Sequence, residues 1–180
     1  MRSPKTEITA MSLYAETIPQ FQKMLNNLDT WLGLGVEYAG KKKFDPAVLL
    51  NSRLAPDQYP LLRQIQAACD QAKAAAARLT GQEPPKHPDT EVTLEEIKAR
   101  IQTVRTYLSG FSEKDFVGAE TRLIGLPFAP GKGMVGSDYT QEMALPNFYF
   151  HVAMAYAILR HNGVDLGKTH FISGLTLRDM

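Results

Sequence analysis

Asn147 and His151 are the only strongly polar side chains in the run ALPNFYFHVAMAYAIL, Ala144 to Leu159. Four positions apart, they share one face of a helix, one turn above the other. An imidazole and an amide so placed suit two kinds of chemistry. They can mark the place of any chemistry the bundle performs. They can equally be structural, with His151 bonded to Asn147, Tyr149 or a backbone carbonyl. Gln64, beside the Leu61–Ile65 seam of an earlier helix, is the side chain on that helix most expected to point inward and join them. Its neighbours Asp57, Gln66 and Asp70 are expected to be solvated.

The other histidines carry no comparable pattern. His87 lies between prolines, His161 just before a helix stop and His170 near the C-terminus, with no H-E-x-x-H or H-x-x-x-H spacing among the four. No Ser or Cys forms a recognisable pair with a histidine, and no second inward carboxylate supports a di-iron site. Gly131 to Gly136 (GKGMVG) spells G-x-G-x-x-G. Dinucleotide binding, however, requires a strand after the helix and an acidic residue about 20 positions on. An apolar helix follows instead, so the glycines are expected to supply positive φ angles in a hairpin turn, and no nucleotide cofactor is expected. A P-loop fails too, because Gly131-Lys132 is followed by glycine rather than Ser or Thr.

Charge narrows the partners. Lys and Arg total 20 against 19 Asp and Glu, a formal net charge of +1. That balance offers no electrostatic case for nucleic acid or an anionic membrane. The run Lys41-Lys42-Lys43 reads as a solvated helix end, where cations complement the dipole. The single cysteine, Cys69, lies in a helical run and is expected to be a small buried hydrophobe. No uncharged stretch reaches the about 18 residues of a spanning helix, and the N-terminus lacks an apolar signal core, so a cytoplasmic protein is expected. Residues 1–10 read as an extension preceding a second plausible start at Met11, residues 11–172 as one bundle domain, and 173–180 as a tail.

Four amphipathic helices must position these groups. In the first, Tyr14, Ile18, Phe21, Leu25, Leu28 and Leu32 alternate steps of four and three. Ser12 caps its start, while Pro19 is expected to kink it or delay its beginning. Asp45-Pro46 reads as N-cap and first residue of a short helix. The second long helix follows Ala55-Pro56-Asp57 and carries an alanine-rich seam, Ala68, Ala72 and Ala75, that permits close approach opposite Phe148 and Tyr156. Gly81 ends it, and the proline-rich GQEPPKHPD leads to a capping box at Thr93-Leu94-Glu95-Glu96. Ser137 or Asp138 is expected to cap the apolar fourth helix, Pro146 to kink it and Asn162-Gly163 to stop it. From Gly167 the chain is expected to extend or dock on a second subunit.

The segments RLAPDQYPLLRQIQAACDQAK (Arg53 to Lys73), LPNFYFHVAMAYAILRHNG (Leu145 to Gly163) and Gly167-Lys168 resemble the DinB-like metalloenzyme superfamily, and within it a bacterial family of unknown function. The resemblance runs from about Met11 to Phe171. It implies an all-α fold, a DinB-like up-down-down-up four-helix bundle with a small hairpin or loop before the last helix. It also implies a divalent-metal site built from one histidine on the second helix and two, four apart, on the last. His151 matches the later of that pair, Asn147 stands at the earlier position, and the helix-two position falls near Ala67, with Gln64 and Gln66 as the nearest polar groups. With two histidines replaced, the resemblance leaves an incomplete metal set of His151, Asn147 and Gln64. The favoured expectation is a homodimeric small-ligand-binding or structural protein, because the aromatics Phe148, Tyr149 and Phe150 exceed what one helical face buries. The alternative implied by the resemblance is an enzyme that depends on a divalent metal, zinc, nickel or iron, at His151, Asn147 and Gln64, and that hydrolyses a small molecule or transfers a thiol.

Overall fold

The computed structural model describes residues 12–179, so the expected extension over residues 1–10 lies outside the described residues. Four long helices carry the core: α1 (Leu13–Lys42), α3 (Leu61–Leu79), α4 (Leu94–Ser109) and α6 (Leu145–His161). Among the described residues there are also short helices α2 (Ala47–Asn51), α5 (Gly136–Asp138) and α7 (Lys168–Phe171), 3-10 turns at Glu113–Phe116 and Ala119–Thr121, and the strands β1 (Leu123–Gly125) and β2 (Gly133–Val135).

Local chemistry sets most boundaries. Ser12 caps α1, and the helix runs through Pro19 instead of starting after it, although the proline leaves the Ala15 carbonyl without its helical donor. Ile18, Phe21, Leu25, Leu28, Trp31 and Leu32 are all buried, as their spacing predicts. Asp45 Oδ1 accepts from the Ala47 amide at 2.9 Å, so α2 begins one residue later than expected. The capping box at Thr93 and Glu96 forms, and Asn162 followed by Gly163 at φ +93° ends α6. Helix α3 starts at Leu61 rather than just after Asp57. Pro60 accounts for the difference, because the residue before a proline is pushed out of the helical region.

The order of contacts along each helix fixes the topology. Phe21 meets Phe148 and Trp31 meets Tyr156, so α1 and α6 run parallel. Gln64 meets His151 while Arg78 meets Tyr139, so α3 and α6 run antiparallel. After Gly81 the proline-rich segment returns along α3 until Asp89 reaches Arg63, which brings α4 in parallel to α3. The result is an up-down-down-up bundle in which α3 and α6 make the most extensive inter-helix contact. Alanines at positions 68, 72 and 75 are buried in α3 and let it approach closely, whereas the large rings of α6 pair with those of α1.

Before the last helix, β1 and β2 pair antiparallel with Ile124 opposite Met134. The GKGMVG segment is therefore one arm of a hairpin, with Gly131 at φ +78°. Helical structure then starts at Gly136, so Ser137 and Asp138 lie inside it and neither caps it. A Cβ on Gly136 would collide with the Ala119 carbonyl, so the chain turns there on glycine. Tyr139–Ala144 forms a π-helical turn leading into α6. Pro146, near the start of α6, offers no N–H, and its ring would crowd the carbonyl of Glu142. Widening the preceding turn relieves both. The C-terminal segment docks on its own α1: Trp31 Nε1 donates to the His170 carbonyl at 3.3 Å and Asn27 Nδ2 to that of Phe171 at 3.1 Å. Phe171 stacks on Trp31, which supplies the apolar part of that contact.

Candidate functional site

Pro60 shapes the site before any of its polar residues do. It holds Tyr59 outside α3, so the Tyr59 carbonyl lacks a place in the helical ladder and accepts from Gln64 Nε2 at 3.2 Å. That bond orients the amide, turning Gln64 Oε1 towards His151 Nδ1 at 2.8 Å. Because Oε1 can only accept, Nδ1 carries the hydrogen and donates. Nε2 is left as the free lone pair of a neutral ring. His151 is 9% exposed, and burial, followed by the charge of Arg63, lowers its pKa.

Gln64 therefore faces His151 as expected. Asn147, half-buried one turn earlier, makes no hydrogen bond to either residue among those described. The implied divalent metal does not fit these groups. One ring nitrogen is an N–H donor, the Gln64 oxygen accepts from it, and amides are weak substitutes for imidazole. Among the described residues, no three His, Cys, Asp or Glu side chains converge as a metal set. Beside the relay, Phe150 stands edge-on to the His151 ring at 5.3 Å and Arg63 lies over the Tyr59 ring at 5.7 Å. Gln58 donates to Met154 Sδ at 3.0 Å.

A larger polar cluster lies alongside, and sequence spacing did not reveal it. Gln66 and Asp70, expected to be solvated, both belong to it. Arg100, whose side chain is 2% exposed, reaches Asp70 at 2.8 Å, Asp89 at 2.9 Å and Glu91 at 3.0 Å. Lys73 pairs with Asp70 at 2.9 Å, Arg63 with Asp89, and Gln66 donates to Glu91 at 2.9 Å. Three cations thus meet three carboxylates across α3, α4 and the crossover between them. Each charge faces an opposite one, which offsets the cost of burial, while Arg100 Nε is left without a hydrogen-bond partner. Cys69 is buried beneath the cluster, and desolvation pushes its pKa up to about 12, so it stays a thiol. The available signal was the pair of acids after Pro88 in KHPDTE, Asp89 and Glu91, whose partners lie on other elements.

Parallel and antiparallel neighbours in this order, joined by a long second crossover, define a DinB-like four-helix bundle. The family model described as a domain of unknown function, DUF1993, matches residues 13–172. The chain belongs to the DUF1993 family. It is also similar to the crystal structure of a DinB family member protein from Shewanella denitrificans, at 49% identity and a TM-score of 0.90, over 93% of this chain and 96% of that one. No curated protein matches it.

Proposed function

We propose that this protein is a non-catalytic homodimer, a small-ligand-binding or scaffolding bundle in which His151 locks two helices together and does not ligate a metal. The observation that carries the reading is the relay from Tyr59 through Gln64 to His151, which commits Nδ1 and both ends of the amide inside the protein. A ligand histidine also uses its second nitrogen for a partner, but it stands among further ligands, and here Asn147 offers only an amide. Exposed rings beside the relay, Phe150 at 51% and Tyr59 at 52%, support a second copy as the cover of this seam. A single buried thiol supports the cytoplasm as its compartment. No described helix is long and apolar enough to cross a membrane.

Melting curves of wild type and His151→Phe, each with and without zinc or nickel, test the reading. The expected result is the same small metal response in both proteins. A rise in melting temperature confined to wild type would overturn it in favour of a divalent-metal enzyme at His151, Asn147 and Gln64, because a ligand that binds only the folded state stabilises it by mass action.

A further inference from the structure

A cavity of about 550 Å³ opens where the last turn of α3 meets the hairpin, with Arg78, Gly81, Arg122, Leu123 and Pro127 among its lining residues. That volume falls within the range of small-molecule sites. Both arginines are half-buried, and neither forms an ion pair with a carboxylate among the described residues. Glu83, also on the rim, pairs with neither.

Each arginine is instead tethered by one hydrogen bond that leaves its charge uncompensated. Arg78 Nη1 donates to the Tyr139 hydroxyl at 3.2 Å, and Arg122 Nε donates to the Leu79 carbonyl at 3.1 Å. The second bond satisfies a carbonyl at the end of α3, a role a helix terminus gives to a cation. It uses only one of the donors of the guanidinium. Both terminal nitrogens of Arg122 remain uncommitted, and so does the outer nitrogen of Arg78. Gly81, at φ +74°, lets Arg122 lie against the backbone, since a Cβ there would collide with the guanidinium. Two preoriented forks beside an apolar wall, Leu123 and Pro127, match a ligand with an anionic head and an apolar body.

We propose that this cavity binds a small organic oxyanion, a phosphate or carboxylate carried on an apolar group, held by Arg78 and Arg122. The site is separate from the His151 relay. Gln64 and Arg78 lie fourteen residues apart on α3, about 21 Å along the helix. The proposal stands whether or not the seam at His151 dimerises or takes a metal.

Calorimetric titration of the full chain with phenyl phosphate, benzoate, inorganic phosphate and neutral benzyl alcohol tests it. Phenyl phosphate or benzoate is expected to bind wild type with a dissociation constant below about 1 mM, and benzyl alcohol not to bind in that range. Which of the two binds more tightly identifies the head group as phosphoryl or carboxyl. Arg78→Gln and Arg122→Gln are each expected to weaken binding by about tenfold or more. Since Arg122 also anchors α3, Leu123→Glu serves as a second variant. It places a carboxylate on a rim position that is 73% exposed, and it should weaken binding without lowering the melting temperature. His151→Phe should leave binding unchanged. Failure of both anions to bind wild type, or equal affinity in all three rim variants, would overturn the proposal.

Discussion

His151 donates from Nδ1 as a neutral ring, and this sets the pH range in which the bundle is most stable. Burial and then Arg63 lower its pKa in the folded protein, whereas the unfolded imidazole takes up a proton below about pH 6.5. The unfolded state therefore binds more protons on the acid side. Stability is complete above the unfolded value and is lost as pH falls from there through the lowered folded value. The melting temperature of wild type is expected to decline between about pH 7 and pH 5, and that of His151→Phe to decline less. His87, whose pKa burial also lowers, is present in both proteins, so the difference between the curves isolates His151. Parallel curves would show that His151 is not the group responsible. At neutral pH the same substitution should cost about 1–3 kcal/mol in urea unfolding, because it strands the Gln64 oxygen.

Among the elements, the crossover from α3 to α4 depends most on charge. It contains three prolines between Gly81 and Thr93 and no helix or strand, and its polar residues hold it to the bundle. Desolvation alone would raise the pKa values of Asp89 and Glu91. Hydrogen bonds and the positive charges of Arg63 and Arg100 outweigh it, and both carboxyls end below their ordinary range. Arg100→Ala would leave Asp70, Asp89 and Glu91 facing one another without their shared cation. Asp70 keeps Lys73 and Asp89 keeps Arg63, so the expected loss is about 1–3 kcal/mol, read from the shift of the urea midpoint. A change below about 1 kcal/mol would mean that water enters and screens the cluster.

For the molecule as a whole, the proposed dimer rests on the seam between α3 and α6. Phe148 is fully buried against Phe21, and Tyr149 reaches Gln20, so of the three consecutive aromatics only Phe150 is left largely exposed. Tyr59, whose carbonyl begins the relay to His151, is the second exposed ring next to it. Light scattering at micromolar concentration is expected to give twice the 20.0 kDa chain mass, and Phe150→Asp to return it to a single chain. Wild type at a single-chain mass would overturn the dimer.

The helices were legible in the sequence because their causes are local. The Thr93–Glu96 capping box, the Gly81 and Gly163 stops, the core seam of α1 and the inward Gln64 each depend on residues within a few turns, and periodicity reports which face is buried. The resemblance in Leu145 to Gly163 supplied the bundle topology. Tertiary structure decided what spacing cannot encode. Asp70 and Gln66 look solvated on a helical wheel, yet the crossover folds back over them and pairs them with Arg100 and Glu91 from other elements. Asn147 shares a helical face with His151, yet the bond goes to Gln64, because Pro60 frees a carbonyl that turns the Gln64 amide towards the ring. Arg78 and Arg122 lie far apart in the chain and meet only where the hairpin packs on the end of α3. Hydrogen bonds and charges act over a few ångströms in space, so their partners become known only once the chain has closed on itself.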